Sequence, residues 1–527
     1  MAPKNAQLLL QKLKQYFKFD QYQAIFKKEI IGGLSTFLAM AYILAVNPAI
    51  VGFAPLNPAD PAAGLANQFQ GGLFLATAVA ATLATFIMGL FARIPVALAP
   101  GMGLNVFFAF TVAQQVGFAS ALSITILSGI GYFLVVITPA REKIANLMPT
   151  NLKLAIGVAI GFFIGFIGLQ NARIIVSDPG EALATQVGNF GHPLVILALC
   201  LLVIAFILHY AKIPGAIVIT MLLGAIVLIP MIMTKSFAGA NPDNINPALV
   251  GYQGFSTFSN VIQAGWTGFA NVKMWQSPIT YIGTLSFLYI DFFDTTGTLI
   301  TIDKVGQVSQ QEPKWLAKAN IVDAVSTVAG AGIGATTVSS FIESTVGISA
   351  GAKTGFSAII TALCLASTIA LWPVMQIFMP VDILSTVDGK SVLQSFQPIT
   401  GPILILVGAI MIGQIKHFEW EIMIDIPALF MTVIMMMLSN SIAYGIGFGV
   451  LTFVLVNAGL GTFQALGKKQ KRIVNTLEIP FSTAGVNVKT REFYYLKRLN
   501  WGLVTIALLS LIYIIFQTGI SYYGWFQ

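Results

Sequence analysis

Two aspartates, Asp291 and Asp294, stand three residues apart in the run Ser286-Phe287-Leu288-Tyr289-Ile290-Asp291-Phe292-Phe293-Asp294-Thr295-Thr296-Gly297-Thr298. On a helix that spacing puts both on one face. A third acid, Glu343, follows a small-residue run from Ala329 to Ala335 and a hydroxyl run from Thr336 to Ser340. No Lys or Arg is placed as a fixed partner for any of them. A carboxylate without a counter-charge in apolar surroundings is costly as an anion. It can accept hydrogen bonds from the N–H groups of a polar solute, or take up and release a proton during a cycle. Simpler readings also fit single residues. Thr295, Thr298 or backbone donors could satisfy Asp294, Asn105 could cap a helix, and Tyr42 suits packing.

Other chemistries fit less well. An aspartyl protease dyad draws one Asp from each of two facing elements so that they share a proton, whereas Asp291 and Asp294 lie on one helix and no GxGD run occurs. A channel would show rings of charge or a repeated filter sequence. A uniporter or exchanger of another small polar solute or anion is the nearer alternative. His192, His209 and His417 lack metal-ligand spacing, and Cys200 and Cys364 sit in apolar stretches as small hydrophobes. These features predict a non-enzyme with neither metal nor cofactor.

The elements that carry these acids are immersed in lipid. The 527 residues are 56% hydrophobic and 9% charged, with a mean hydropathy of +0.83, against about 25% charged in soluble domains. Spans of about 20 apolar residues are predicted at 29–50, 71–92, 119–139, 152–171, 193–210, 213–234, 278–300, 353–373, 400–415, 423–438 and 441–463, with weaker ones at 96–114, 315–333 and 334–352. The fold class is therefore an all-α polytopic membrane protein with about 14 transmembrane segments. With residues 1–28 in the cytoplasm, all of the 28 Lys and Arg except Arg173, Lys235, Lys273 and Lys390 fall on the cytoplasmic side, as the positive-inside rule demands. The net charge of +8 follows from topology, and nucleic acid is excluded as a partner. A basic linker at 465–500 precedes an apolar stretch, 501–518, that either spans or lies at the interface.

The segments starting near 29, 71, 96 and 119 recur near 278, 315, 334 and 353. Each half then holds seven spans, an odd number, so the halves are inverted, as in secondary transporters. The third segment of each half is broken. Pro95, Pro100, Gly101 and Gly103 interrupt one, and Gly330, Gly332 and Gly334 with the Thr/Ser run interrupt the other. Both read as a short extended piece followed by a half-helix whose N-terminus offers free N–H groups. Irregular backbone at membrane depth is tolerated where protein buries it or a cavity adjoins it, so paired breaks point to the binding site.

The runs Gly33 to Ile43, Ala99 to Asn105, Asp291 to Leu299 and Ser339 to Gly355 resemble the AzgA-like adenine/guanine/hypoxanthine permeases, a branch of the nucleobase–ascorbate transporter superfamily related to xanthine/uracil permeases. The resemblance covers most of 29–463. It implies a proton-coupled symporter of a purine nucleobase in the plasma membrane, the proton being the coupling ion, in a homodimer among lipid. It implies a core domain at 29–150 and 278–375 and a gate domain at 151–277 and 376–464, flanked by the N-terminus, 1–28, and the tail, 465–527. Carried over, Asp291 would bind the purine and join Asp294 and Glu343 in proton coupling. Glu343 would hydrogen-bond the ring, Asn105 would contact the substrate or steady the site, and the backbone of Phe341 and Ile342 would line the pocket. The tail departs from the family pattern.

Overall fold

The computed structural model describes residues 11–57, 66–138, 149–176, 185–236 except 214 and 235, 253–308, 314–372, and 381–467 except 388–389 and 440–441, with scattered positions from 499 to 514. The basic linker and most of 501–518 lie outside the described residues.

Helices dominate. Helix α1 (Phe26–Val51), with a break in its helical pattern at Ala41–Tyr42, is followed by α2 (Gln70–Ala92), strand β1 (Leu98–Pro100), α3 (Met102–Val116) and α4 (Phe118–Ile137). Next come α5 (Thr150–Asn171), the two-residue strands β2 (Ile175–Val176) and β3 (Gln186–Val187), α6 (Pro193–Tyr210), α7 (Ala216–Met233) and α8 (Phe258–Thr267). Then α9 (Pro278–Gly306), α10 (Trp315–Gly332), β4 (Val338–Ser340), α11 (Ser344–Ser349) and α12 (Gly355–Ala370) repeat the order of the first group. The hairpin β5 (Val381–Val387) and β6 (Lys390–Phe396) leads to α13 (Thr400–His417), α14 (Met423–Leu438) and α15 (Ile442–Gly467).

Eight of these helices are long and apolar enough to cross a membrane, and α3, α12 and α14 are shorter apolar helices. The acid-bearing α9 and α10 stand outside both groups. This is a multi-pass membrane protein. By internal contacts it divides into a unit of Met1–Thr138 with Ile164–Val407 and a unit of Pro139–Phe163 with Gly408–Gln527.

In the larger unit the two four-element groups interlock. Helix α4 packs on α9 and α10, and α12 packs on α1 and α2. Small residues permit the approach. A Cβ on Gly129 would stand 2.8 Å from Val328 Cγ2, and one on Gly355 would run into the Gly89 carbonyl and stand 2.8 Å from Arg93 Cα. Helix α12 starts at Thr354, whose hydroxyl accepts from Phe356 N (3.2 Å), an N-cap. Buried Glu29 of α1 takes the two preceding amides, Lys353 N (2.8 Å) and Thr354 N (3.1 Å), and the Thr354 hydroxyl (3.0 Å). Phe17 and Phe19, ahead of α1, fold back onto Phe356.

The broken segments meet as a two-stranded antiparallel ladder. Leu98 faces Ser340, Ala99 faces Ser339 and Pro100 faces Val338, and all six residues are buried. Phe341 N to Ala97 O (3.0 Å) and Gly101 N to Thr337 O (3.1 Å) extend it. Proline and glycine stop the helix on one side. On the other, Gly334 and Thr336 adopt φ of 90° and 70°, conformations that end a helix and redirect the chain. The pairing supplies the hydrogen bonds that lipid cannot.

The smaller unit holds the start of α5 with α14 and α15, around Ala155, Val158, Phe418 and Leu429. Asn151 fastens it, donating to Asp425 Oδ2 (2.9 Å) and accepting from Glu419 N (3.0 Å).

Candidate functional site

The acids of α9 and α10 converge on strand β4 inside the larger unit. Helix α9 opens with Pro278 at its first position, where a missing N–H costs nothing, and carries Asp291 on the face turned to α10. Asp291 is fully buried. Its Oδ2 lies 2.9 Å from the Thr327 hydroxyl, and its Oδ1 is buried with no hydrogen-bond partner among the described residues. Asp294, one turn on, is partly exposed and faces Glu343. Neither Thr295 nor Thr298 is bonded to it among the described residues. Thr295 donates instead to Asp323 Oδ2 of α10 (2.7 Å).

Asp323 is the functional candidate that sequence reasoning missed. It is fully buried, faces Asp291, and its Oδ1 accepts from the Ser340 hydroxyl of β4 (3.0 Å). The two helices exchange the same motif. Each carries an Asp followed four residues later by a Thr, one turn along the same face, and each Thr serves the other helix's Asp: Thr327 to Asp291 and Thr295 to Asp323. The repeated Asp-x-x-x-Thr spacing was the available signal, together with an acid inside a helix otherwise rich in Ala and Val.

Glu343 sits at the end of the β4 segment, just before α11, and is partly exposed. Its Oε1 accepts from the Tyr42 hydroxyl (2.8 Å). Tyr42, expected as packing, is indeed fully buried, but its polar end reaches this carboxylate from the break in α1. Helix α11 is six residues long, so the polar character here comes from side chains more than from a helix terminus.

Asn105 is buried in α3 and caps nothing: the residue preceding that helix is Gly101, with no side-chain cap. Its amide donates to Asn47 Oδ1 (2.5 Å) and its carbonyl accepts from the Thr336 hydroxyl. Asn47 in turn donates to Thr77 Oγ1 (2.8 Å). Asn105 thus ties α1, α2 and the backbone before β4 together, beside the ladder. Phe341 is buried, with its N–H taken by Ala97 O, and Ile342 is half-buried. The structure therefore brings Asp291, Asp294, Asp323, Glu343 and Tyr42 around one face of β4, with Asn105 bracing the segment ahead of it. No cation pairs with any of these acids among the described residues. Nor, among those residues, does any group of three His, Cys, Asp or Glu form a metal site.

Comparison with known proteins places this architecture. The transmembrane domain of the cyanobacterial bicarbonate transporter BicA superimposes with a TM-score of 0.53 at 16% identity, covering 80% of this chain and 97% of that one. That likeness is one of fold. The guanine/hypoxanthine permease PbuG of Bacillus subtilis (strain 168) is 35% identical over 450 residues, 84% of this chain and 93% of that protein. The adenine permease AdeP of Escherichia coli (strain K12) is 30% identical over 462 residues, 86% of this chain and 92% of that one. The profile of the Permease family matches residues 27–380, from the start of α1 to beyond α12. With both acid-bearing helices and both broken segments inside that match, the chain belongs to this permease family and is a membrane transporter, not an enzyme.

Proposed function

We propose that the chain is a proton-coupled symporter that imports a purine nucleobase, namely adenine, guanine or hypoxanthine, across the plasma membrane as a homodimer with its N-terminus in the cytoplasm. The observation that carries this reading is the group of acids on α9, α10 and the β4 segment without a cationic partner among the described residues. A purine is a flat disc with N–H donors and ring-nitrogen acceptors around its edge. Partly exposed Glu343 accepts from ring N–H groups, and Tyr42 holds it in register. Asp291, with one oxygen buried and unpartnered among the described residues, takes the coupling proton, and Asp294 and Asp323 share the negative charge around it. The purine permeases among the relatives support the choice of substrate class. In this reading the four elements of each half that surround the ladder form the core that carries substrate.

Uptake of radiolabelled adenine, hypoxanthine, guanine, xanthine and uracil into proteoliposomes tests the substrate class. We expect one or two purines to accumulate, with stimulation by an inward proton gradient. Gradient-stimulated uptake of uracil alone, or purine uptake indifferent to the gradient, overturns the corresponding half of the reading.

A further inference from the structure

Each strand of the ladder is held from the side by one threonine hydroxyl, and the two threonines face different demands. In an antiparallel pair alternate residues turn their N–H and C=O away from the partner strand. The bonds at Ala97–Phe341 and Gly101–Thr337 place Leu98 and Val338 among those outward-facing residues. On the β1 side, Thr85 of α2 accepts from Leu98 N (2.9 Å) and donates to Leu98 O (2.9 Å). One proton and one lone pair meet one acceptor and one donor. On the β4 side, Thr327 of α10 lies 2.9 Å from Val338 O and 2.9 Å from Asp291 Oδ2. A threonine hydroxyl has a single proton. A carbonyl and an ionised carboxylate are both acceptors, so that proton cannot give each a full hydrogen bond: it is either split into two weakened bonds or committed to one of them. Both contacts are satisfied at once when Asp291 carries a proton. Asp291 then donates to Thr327, and Thr327 donates to Val338.

Ionised Asp291 changes this arrangement. A hydrogen bond to a carboxylate is about twice as strong as one between neutral groups, so Thr327 turns its proton to Asp291. The buried Val338 carbonyl then loses its donor, which is unfavourable. Strand β4 leads directly into Phe341, Ile342 and Glu343. We propose that Thr327 is a positioning residue that transmits the protonation of Asp291 to strand β4: protonated Asp291 locks the strand onto α10, and ionised Asp291 releases it. The coupling proton leaves Asp291 for water, while Thr327 keeps its own proton and only rotates. This inference rests on the proton-coupled reading and names the device by which a proton reaches the substrate groups.

The charged groups facing Asp291 are Asp323 of α10 and Asp294 of α9 itself, with Glu343 facing Asp294. The sequences of α3, β4 and α11, also packed on α9, contain no acid or base. The one titratable side chain of α4, Tyr132, meets Phe292 and Asn320.

The test is purine binding as a function of pH in nanodiscs, using full-length wild type, Thr327→Ser, Thr327→Val and Thr85→Val with radiolabelled adenine or hypoxanthine. Wild type should change affinity at least about tenfold across the pH range, equivalent to about 1.4 kcal/mol. Thr327→Ser keeps the hydroxyl and should keep that profile. Thr327→Val should flatten it to less than about threefold while still binding. Thr85→Val should lower the melting temperature and leave the profile intact. A wild-type profile in Thr327→Val overturns the relay alone. A wild type indifferent to pH overturns proton coupling and the relay with it. Should Thr327→Val fail to fold, infrared spectroscopy of wild type decides. The carboxylic-acid C=O band that Asp291→Asn removes must be present at low pH and vanish where affinity changes. Its absence at every pH overturns the relay.

Discussion

At the scale of single residues, the acids differ in what holds them. Asp323 has both oxygens bonded to hydroxyls, Asp291 has one, and Glu343 has the Tyr42 phenol. The side chain with the fullest set of partners is best suited to fix the site, and those with spare oxygens to take part in transport. This separates two substitutions that look alike on paper. Tyr42→Phe removes one donor to a carboxylate, an interaction worth about 1.5–3 kcal/mol. Purine affinity should fall about tenfold or more, with little change in melting temperature. Asn105→Ala leaves Asn47 Oδ1 buried without its donor and removes one of the two acceptors of the Thr336 hydroxyl, which keeps the Ala335 carbonyl, at a cost of about 1–3 kcal/mol in stability. It should lower the melting temperature measurably in detergent, and the loss of binding should follow the loss of folded protein. Asp291, Asp294 and Glu343 were legible in the sequence because an acid in an apolar run is conspicuous. Asp323 was not, because α10 carries Lys318, Asn320 and Ser326 as well and reads as a weak span in which one more polar residue draws no notice. Tyr42 was readable only as packing, since nothing in the first segment's sequence says that its hydroxyl meets a residue 301 positions away.

At the scale of elements, proline and glycine made both breaks legible, since they remove helical hydrogen bonds or favour other backbone conformations. That the two breaks pair with each other, in the register Ala99 to Ser339, was not legible. Strands of three residues carry no alternation to read, and their pairing is set by the helices around them. Those helices depend on small residues. Gly355→Leu would drive a side chain into the Gly89 carbonyl and the Arg93 backbone, parting α12 from α2. Overpacking of this kind costs about 1–3 kcal/mol or more. We expect little monodisperse protein on size-exclusion chromatography, whereas Gly165→Ala, where a Cβ meets nothing within 4 Å among the described residues, should run as wild type.

At the scale of the molecule, the order of helix, helix, strand with helix, and helix recurs in two groups whose members pack crosswise, α4 on α9 and α10, α12 on α1 and α2. The repeat was readable from segment spacing, but the membership of contacts was not. The acids of one group and Tyr42 of the other meet in one candidate site because the groups interlock. If that site moves a proton with its substrate, transport of a neutral purine must carry charge. The direct measurement is the current from proteoliposomes on a solid-supported membrane when purine is added without any other gradient. A transient inward current, present in wild type and at least about tenfold smaller in Asp291→Asn, is the result this account predicts. Purine uptake with no current in wild type, or an undiminished current in Asp291→Asn, would contradict it.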